Sequence, residues 1–176
     1  MVVSAGLWVI YGYGVAFTAG GDFFGAMPWT DAGKGWFMKA DDPTTAVAAT
    51  FSKGQYIPDF VFCMFQLTFA AITVALITGG LAERMKFSAV MIFSVLWFTF
   101  SYLPIAHMVW YWDGPDAYPS KDAAAAATAA SHAGWLFQTG AIHFAGGTVV
   151  HINARLAARM SASVCGPAPG LGRGPR

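Results

Sequence analysis

Charge is what this chain most lacks. Asp, Glu, Lys and Arg make up 11% of its 176 residues, against 56% apolar, whereas a soluble domain carries about 25% charged residues. So little polar side chain cannot cover a soluble body of this size, which excludes an ordinary globular domain. Cysteine is as scarce. Cys63 lies in an apolar run and Cys165 in the tail, settings too different to suggest a disulfide framework. Basic stripes, zinc-ligand spacings and aromatic RNA-binding motifs are missing, so no nucleic acid partner is indicated. No nucleophile stands with a matching base and no glycine loop suits a phosphate, which argues against an enzyme and against a bound cofactor. Met1 is followed directly by an apolar run, without a basic stretch or a small-residue cleavage site, so no signal peptide is expected.

What is abundant is apolar and aromatic: seven Trp, fifteen Phe and eight Met, with a mean hydropathy of +0.51. An all-α membrane protein is the class that fits. Four segments suit a bilayer crossing, which takes about 20 mainly apolar residues. They cover residues 2–19, 57–81, 87–110 and, more weakly, 135–156. The second begins beside Pro58, where Pro suits a helix start. Residues 20–56 form a long mixed loop with Pro28, Pro43 and the pair Asp41–Asp42. A tight charged turn around Glu83, Arg84 and Lys86 joins the second and third segments. The run KDAAAAATAASHA before the fourth reads as a short surface helix, because Ala has the highest helix propensity.

Basic residues set the orientation. Arg84 and Lys86 lie in the short turn, and Arg155, Arg159, Arg173 and Arg176 follow the fourth segment. The loop after the first segment sets Lys34, Lys39 and Lys53 against Asp22, Asp31, Asp41 and Asp42, and Lys121 faces Asp113, Asp116 and Asp122 after the third. Both termini are then expected on the cytoplasmic side.

Several residues could carry chemistry. Phe62, Phe65 and Phe69 recur on one helical face beside Gln66 and Thr68. Such a stripe suits lipid or helix packing first, and an aromatic constriction that attracts a small cation as the alternative. His107 and Trp110 lie one turn apart near the outer end of the third segment, as an interfacial anchor or a cation–π site. In HFAGGTVVHINA, from His143 to Ala154, Gly146 and Gly147 would let another helix approach, and Thr148 and Asn153 could bond across helices. His151 is an ionisable group in an apolar segment, costly there and so a candidate functional residue. As helical residues, His143 and His151 would stand about 12 Å apart, too far to share a metal ion, so no metal site is expected.

The runs TFAAITVALITGGLAERMKFSA, SYLPIAHMVW and FAGGTVVHINA, in this order and spacing, closely resemble the ammonium transporter family (Amt/Mep/Rh), and LWVIYGYGVAF resembles its second membrane helix. The resemblance covers roughly Leu7 to Ala154. It implies an ammonium-transporter-type helical bundle, here partial, with about four transmembrane helices corresponding to the family's second to fifth. On that footing residues 1–158 are a partial membrane domain. The Arg-, Pro- and Gly-rich residues 159–176 read as a disordered tail, shifted out of the family's reading frame.

The resemblance further implies transport of ammonium or ammonia by a multi-pass protein of the cell membrane, the cytoplasmic or inner membrane in a bacterium. The partners it implies are ammonium, ammonia and the lipid bilayer, with a homotrimer for the full-length family. It makes His151 and Phe69 pore-lining, His151 as the first of two paired histidines and Phe69 as a gate. Trp110 and Phe65 become walls of the outer ammonium recruitment site. His143 occupies the position where the family carries an Asp, and a His there supplies no fixed negative charge. The family's first helix, and everything after its fifth, have no counterpart here, so the chain is expected to be truncated. The alternatives are a non-conducting ammonium sensor or regulatory homologue, and an inactive fragment.

Overall fold

The computed structural model describes residues 1–25, 47–118 and 122–168. Pro28, Lys34, Lys39, the pair Asp41–Asp42, Pro43, Lys121, Arg173 and Arg176 lie outside them. The described chain is mostly helical. Helix α1 is Val2–Phe17. A two-stranded antiparallel hairpin follows, β1 Val47–Ala49 paired with β2 Tyr56–Pro58. Helix α2 is Asp59–Leu81 and α3 is Phe87–Trp110. These two are long and apolar enough to cross a membrane. Helix α4, Ala123–Ser131, is the expected alanine helix. Its N-cap Asp122 accepts from the amides of Ala124 and Ala125 at 3.0 and 3.1 Å. Helix α5 is a single turn, Trp135–Gln138, and α6 runs over 147–165.

The fourth apolar segment departs from the continuous helix expected over 135–156. Gly140, Ala145 and Gly146 all have left-handed φ, +75°, +48° and +80°, and no α-helix passes through such residues. The chain therefore leaves the helical path after α5 and re-enters it at Gly147. Gly146 is thus a turn residue and not a helix-packing glycine. At its other end α6 continues to Cys165 and stops at Gly166, φ +78°, so residues 159–165 are helical where a disordered tail was expected. Their Ala, Arg and Met are good helix formers, and the Arg84 guanidinium holds the helix end by donating to Gly166 O at 3.0 Å.

Close packing fixes α6 against α2. A Cβ on Gly80 would meet the Ala158 carbonyl oxygen at 2.8 Å, so the absent side chain at Gly80 lets the two backbones approach. Sparse polar contacts tie the other pairs. Trp8 Nε1 donates to Cys63 O at 3.2 Å and Tyr11 shares a hydrogen bond with Thr99 at 2.6 Å. Tyr13 donates to the buried Asp59 carboxylate, and Ser101 donates to Asn153 Oδ1 at 3.0 Å. Thr148 bonds locally instead, to Ile142 O. The core lies between α1, α2 and α3 around Trp8, Phe98, Tyr102 and Leu103, all fully buried.

The hairpin folds over one end of this core. Phe51 stacks on Trp112 at 5.4 Å. Asp116 receives the Tyr56 hydroxyl at 2.6 Å and the Gly54 amide at 3.0 Å. These two donors hold the Asp116 carboxyl below its ordinary range.

Replacing Gly80 by Val should force α2 and α6 apart and cost about 1–3 kcal/mol, as overpacking does. Gly79→Ala, which meets nothing within 4 Å, should be neutral or slightly stabilising; thermal unfolding in detergent compares the two. A carboxylate with a lowered pKa contributes its contact above the ordinary Asp range and loses it only as pH falls through the lowered value. Protection of the Gly54 amide, corrected for intrinsic exchange, should therefore persist from neutral pH down through that range and vanish below it. Asp116→Asn should speed Gly54 exchange wherever the wild-type carboxylate is ionised and make no difference below that range.

Candidate functional site

One end of the molecule carries an open pocket of about 320 Å³. The α2 face Phe62, Phe65, Gln66 and Phe69 forms one wall, as helical spacing requires of residues three, four and seven apart. Trp110 enters from the last turn of α3 and Phe17 from the last turn of α1. The hairpin supplies Thr50 and Phe51, and the left-handed turn before α6 supplies His143, Ala145 and Gly146.

The rings interlock. Phe65 meets Phe69 edge to face at 5.1 Å, and Phe69 meets Trp110 at 6.0 Å. Trp110 lies parallel to Phe17 at 6.0 Å and nearly perpendicular to His143 at 5.6 Å. Its Nε1–H donates to His143 Nε2 at 3.1 Å. Such ring faces are electron-rich and attract a small cation, while the apolar surroundings oppose its desolvation.

Phe65, Phe69, Trp110 and His143 therefore share one chamber. His151 does not line it. It sits just past the Gly146 edge, its amide donating to Gly146 O at 2.9 Å. The helix is wound wide there, with five-residue hydrogen bonding over Gly147–Ile152, a winding common at functional positions. The His151 side chain is exposed. His107 is a buried clamp outside the chamber: its ring nitrogens lie 3.1 Å from Ala16 O and 2.9 Å from Gly21 O. That pins the end of α1 to α3 and so positions Phe17. A metal-binding group of three or more His, Cys, Asp or Glu is absent among the described residues.

Sequence reasoning did not single out Phe17, Phe51 or Trp112. Phe17 ends an apolar helix with no distinguishing neighbour. Phe51 reaches the cavity only because the hairpin folds back.

A sequence model of the Ammonium Transporter Family matches residues 1–174, further in both directions than the quoted motifs. The ammonium transporter of Mycobacterium tuberculosis (strain ATCC 25618 / H37Rv) is 43% identical over 176 residues, covering 94% of this chain and 33% of the relative. That of Bacillus subtilis (strain 168) is 38% identical over 160 residues, 91% of this chain and 32% of the relative. Ammonium transporter Amt1 of Archaeoglobus fulgidus is 34% identical over 171 residues, with 97% and 34% covered. The chain spans about a third of the length of these relatives. With a match that runs through α1, the aromatic chamber and α6, this chain belongs to the Ammonium Transporter Family.

Proposed function

We propose that the protein carrying this chain moves ammonium nitrogen across a cell membrane, as a transporter and not an enzyme. The observation that supports it most directly is the chamber in which Phe65, Phe69 and Trp110 meet. The aromatic faces draw ammonium to the outer mouth, and Phe65 and Trp110 are its walls there. Ammonium gives up a proton, and the neutral molecule passes Phe69, because an apolar throat admits ammonia far more readily than the ion. His151 is the first imidazole on the inner side, able to donate and accept.

Multi-pass insertion fits the outward apolar faces of α2 (Val61, Met64, Ile72 and Leu76) and of α3 (Ile92, Leu96 and Phe100). On this reading α1 and the outer part of α6 also cross the bilayer, with both termini cytoplasmic. The assembly is the homotrimer of the full-length family.

The test is uptake of labelled methylammonium by transporter-deficient cells carrying the complete gene. Uptake above the empty-vector background is expected, and its absence would overturn the substrate assignment. Trp110→Leu should lower uptake at limiting substrate by roughly twofold to thirtyfold, the range expected for losing a cation–π contact of about 0.5–2 kcal/mol.

A further inference from the structure

The chamber is larger than a single ammonium ion needs. At about 320 Å³ it matches the pockets that hold small organic molecules. Ring faces also attract quaternary ammonium ions, which aromatic cages bind well. The chemistry of the walls alone therefore does not turn away a bulkier alkylammonium ion. Discrimination by size falls to the entrance.

Phe51 stands at that entrance. It lines the chamber and is nevertheless 87% exposed, so it sits on the rim, part of the ring toward the chamber and the rest toward solvent. An apolar ring left in water must be held there, and the chain holds this one from several sides. Phe51 stacks on Trp112 at 5.4 Å, and Trp112 stacks in turn on Phe137 at 5.6 Å. Just beyond Phe51, Asp116 takes the Gly54 amide and the Tyr56 hydroxyl, and Lys53 Nζ donates to Tyr118 O at 3.0 Å. Thr50 closes the turn, its amide and hydroxyl donating to Gln55 O at 3.1 and 2.9 Å. At the base, a Cβ on Gly114 would meet that of Ala49 at 2.6 Å, so the absent side chain lets β1 seat closely. Tip, turn and base are all tied down.

We propose that Phe51 is the size filter of the chamber, a fixed aromatic lip that admits ammonium and methylammonium and keeps bulkier alkylammonium ions out. Asp116 is a positioning residue, holding that lip through Gly54 and Tyr56. The proposal rests on the transport reading above and adds which cations reach the chamber.

The test measures uptake of labelled methylammonium by transporter-deficient cells carrying the complete gene, with unlabelled ammonium or tetramethylammonium as competitor. The readout is the ratio of the two inhibition constants, in which each variant's own uptake rate cancels. Wild type should be inhibited by ammonium and hardly at all by tetramethylammonium. Phe51→Ala should become about fivefold more sensitive to tetramethylammonium relative to ammonium, within the range a newly reached cation–π contact is worth. Asp116→Ala, which loosens the lip but keeps its ring, should shift the ratio the same way by a smaller factor. Phe51→Trp should keep the wild-type ratio, which separates loss of the ring from damage to the fold. Two constants that move together in Phe51→Ala, or a wild type already sensitive to tetramethylammonium, would overturn the proposal and leave transport intact. Should Phe51→Ala give no uptake, Asp116→Ala decides, and an unchanged ratio there overturns it. Absence of methylammonium uptake by wild type would remove the transport reading, and this proposal with it.

Discussion

One indole ring holds one end of this molecule together. Trp110 ends α3, stacks on Phe17 of α1, meets Phe69 of α2 edge-on and bonds to His143 in the turn before α6. Four parts of the chain far apart in sequence thus converge on one side chain. Tryptophan suits this position, because its large ring offers both faces and an edge to packing while its single N–H needs only one acceptor. Placing that ring requires α1 and α3 to end at the same height, which is what the His107 clamp on Ala16 and Gly21 secures.

The same economy runs through the rest of the fold. Apolar packing supplies the area, and a few polar bonds set the register: Tyr11 with Thr99, Ser101 with Asn153, Trp8 with the Cys63 carbonyl. In an apolar solvent hydrophobic burial between helices contributes little, so close contact and hydrogen bonds decide which faces meet. Gly80 against Ala158 is the close contact, and Ser101 with Asn153 is a bond that fixes rotation.

Much of this was legible in the sequence where it depends on periodicity or on motif. The Phe62, Phe65 and Phe69 face follows from helical spacing alone, and the extents of α2 and α3 from the lengths of their apolar runs. The alanine run marks α4 by its composition. What could not be read depends on long-range return or on a rare backbone conformation. Ala145 takes a left-handed φ of +48°, which alanine does not advertise, so residues 135–156 look like one segment when they are two. Gly80 looks like a helix-end glycine, yet its role is contact with α6. The bond between Trp110 and His143 spans 33 positions, and no local pattern encodes it. The helical residues 159–165 were masked by the Pro and Gly that follow them.

Three helices in this structure contain a stretch wound wide, over Trp8–Gly12, Phe98–Tyr102 and Gly147–Ile152. Such a stretch amounts to one residue more than regular winding needs. Each residue of an ordinary helix turns the chain by about 100°. Deleting a single residue within Gly147–Ile152 would use up that extra residue, tighten the turn to regular winding and leave Asn153 facing Ser101 and Ala158 facing Gly80. The same deletion in the regular winding that follows would rotate everything beyond it by about 100°. The wide turn is where this helix can lose a residue without changing which face looks inward.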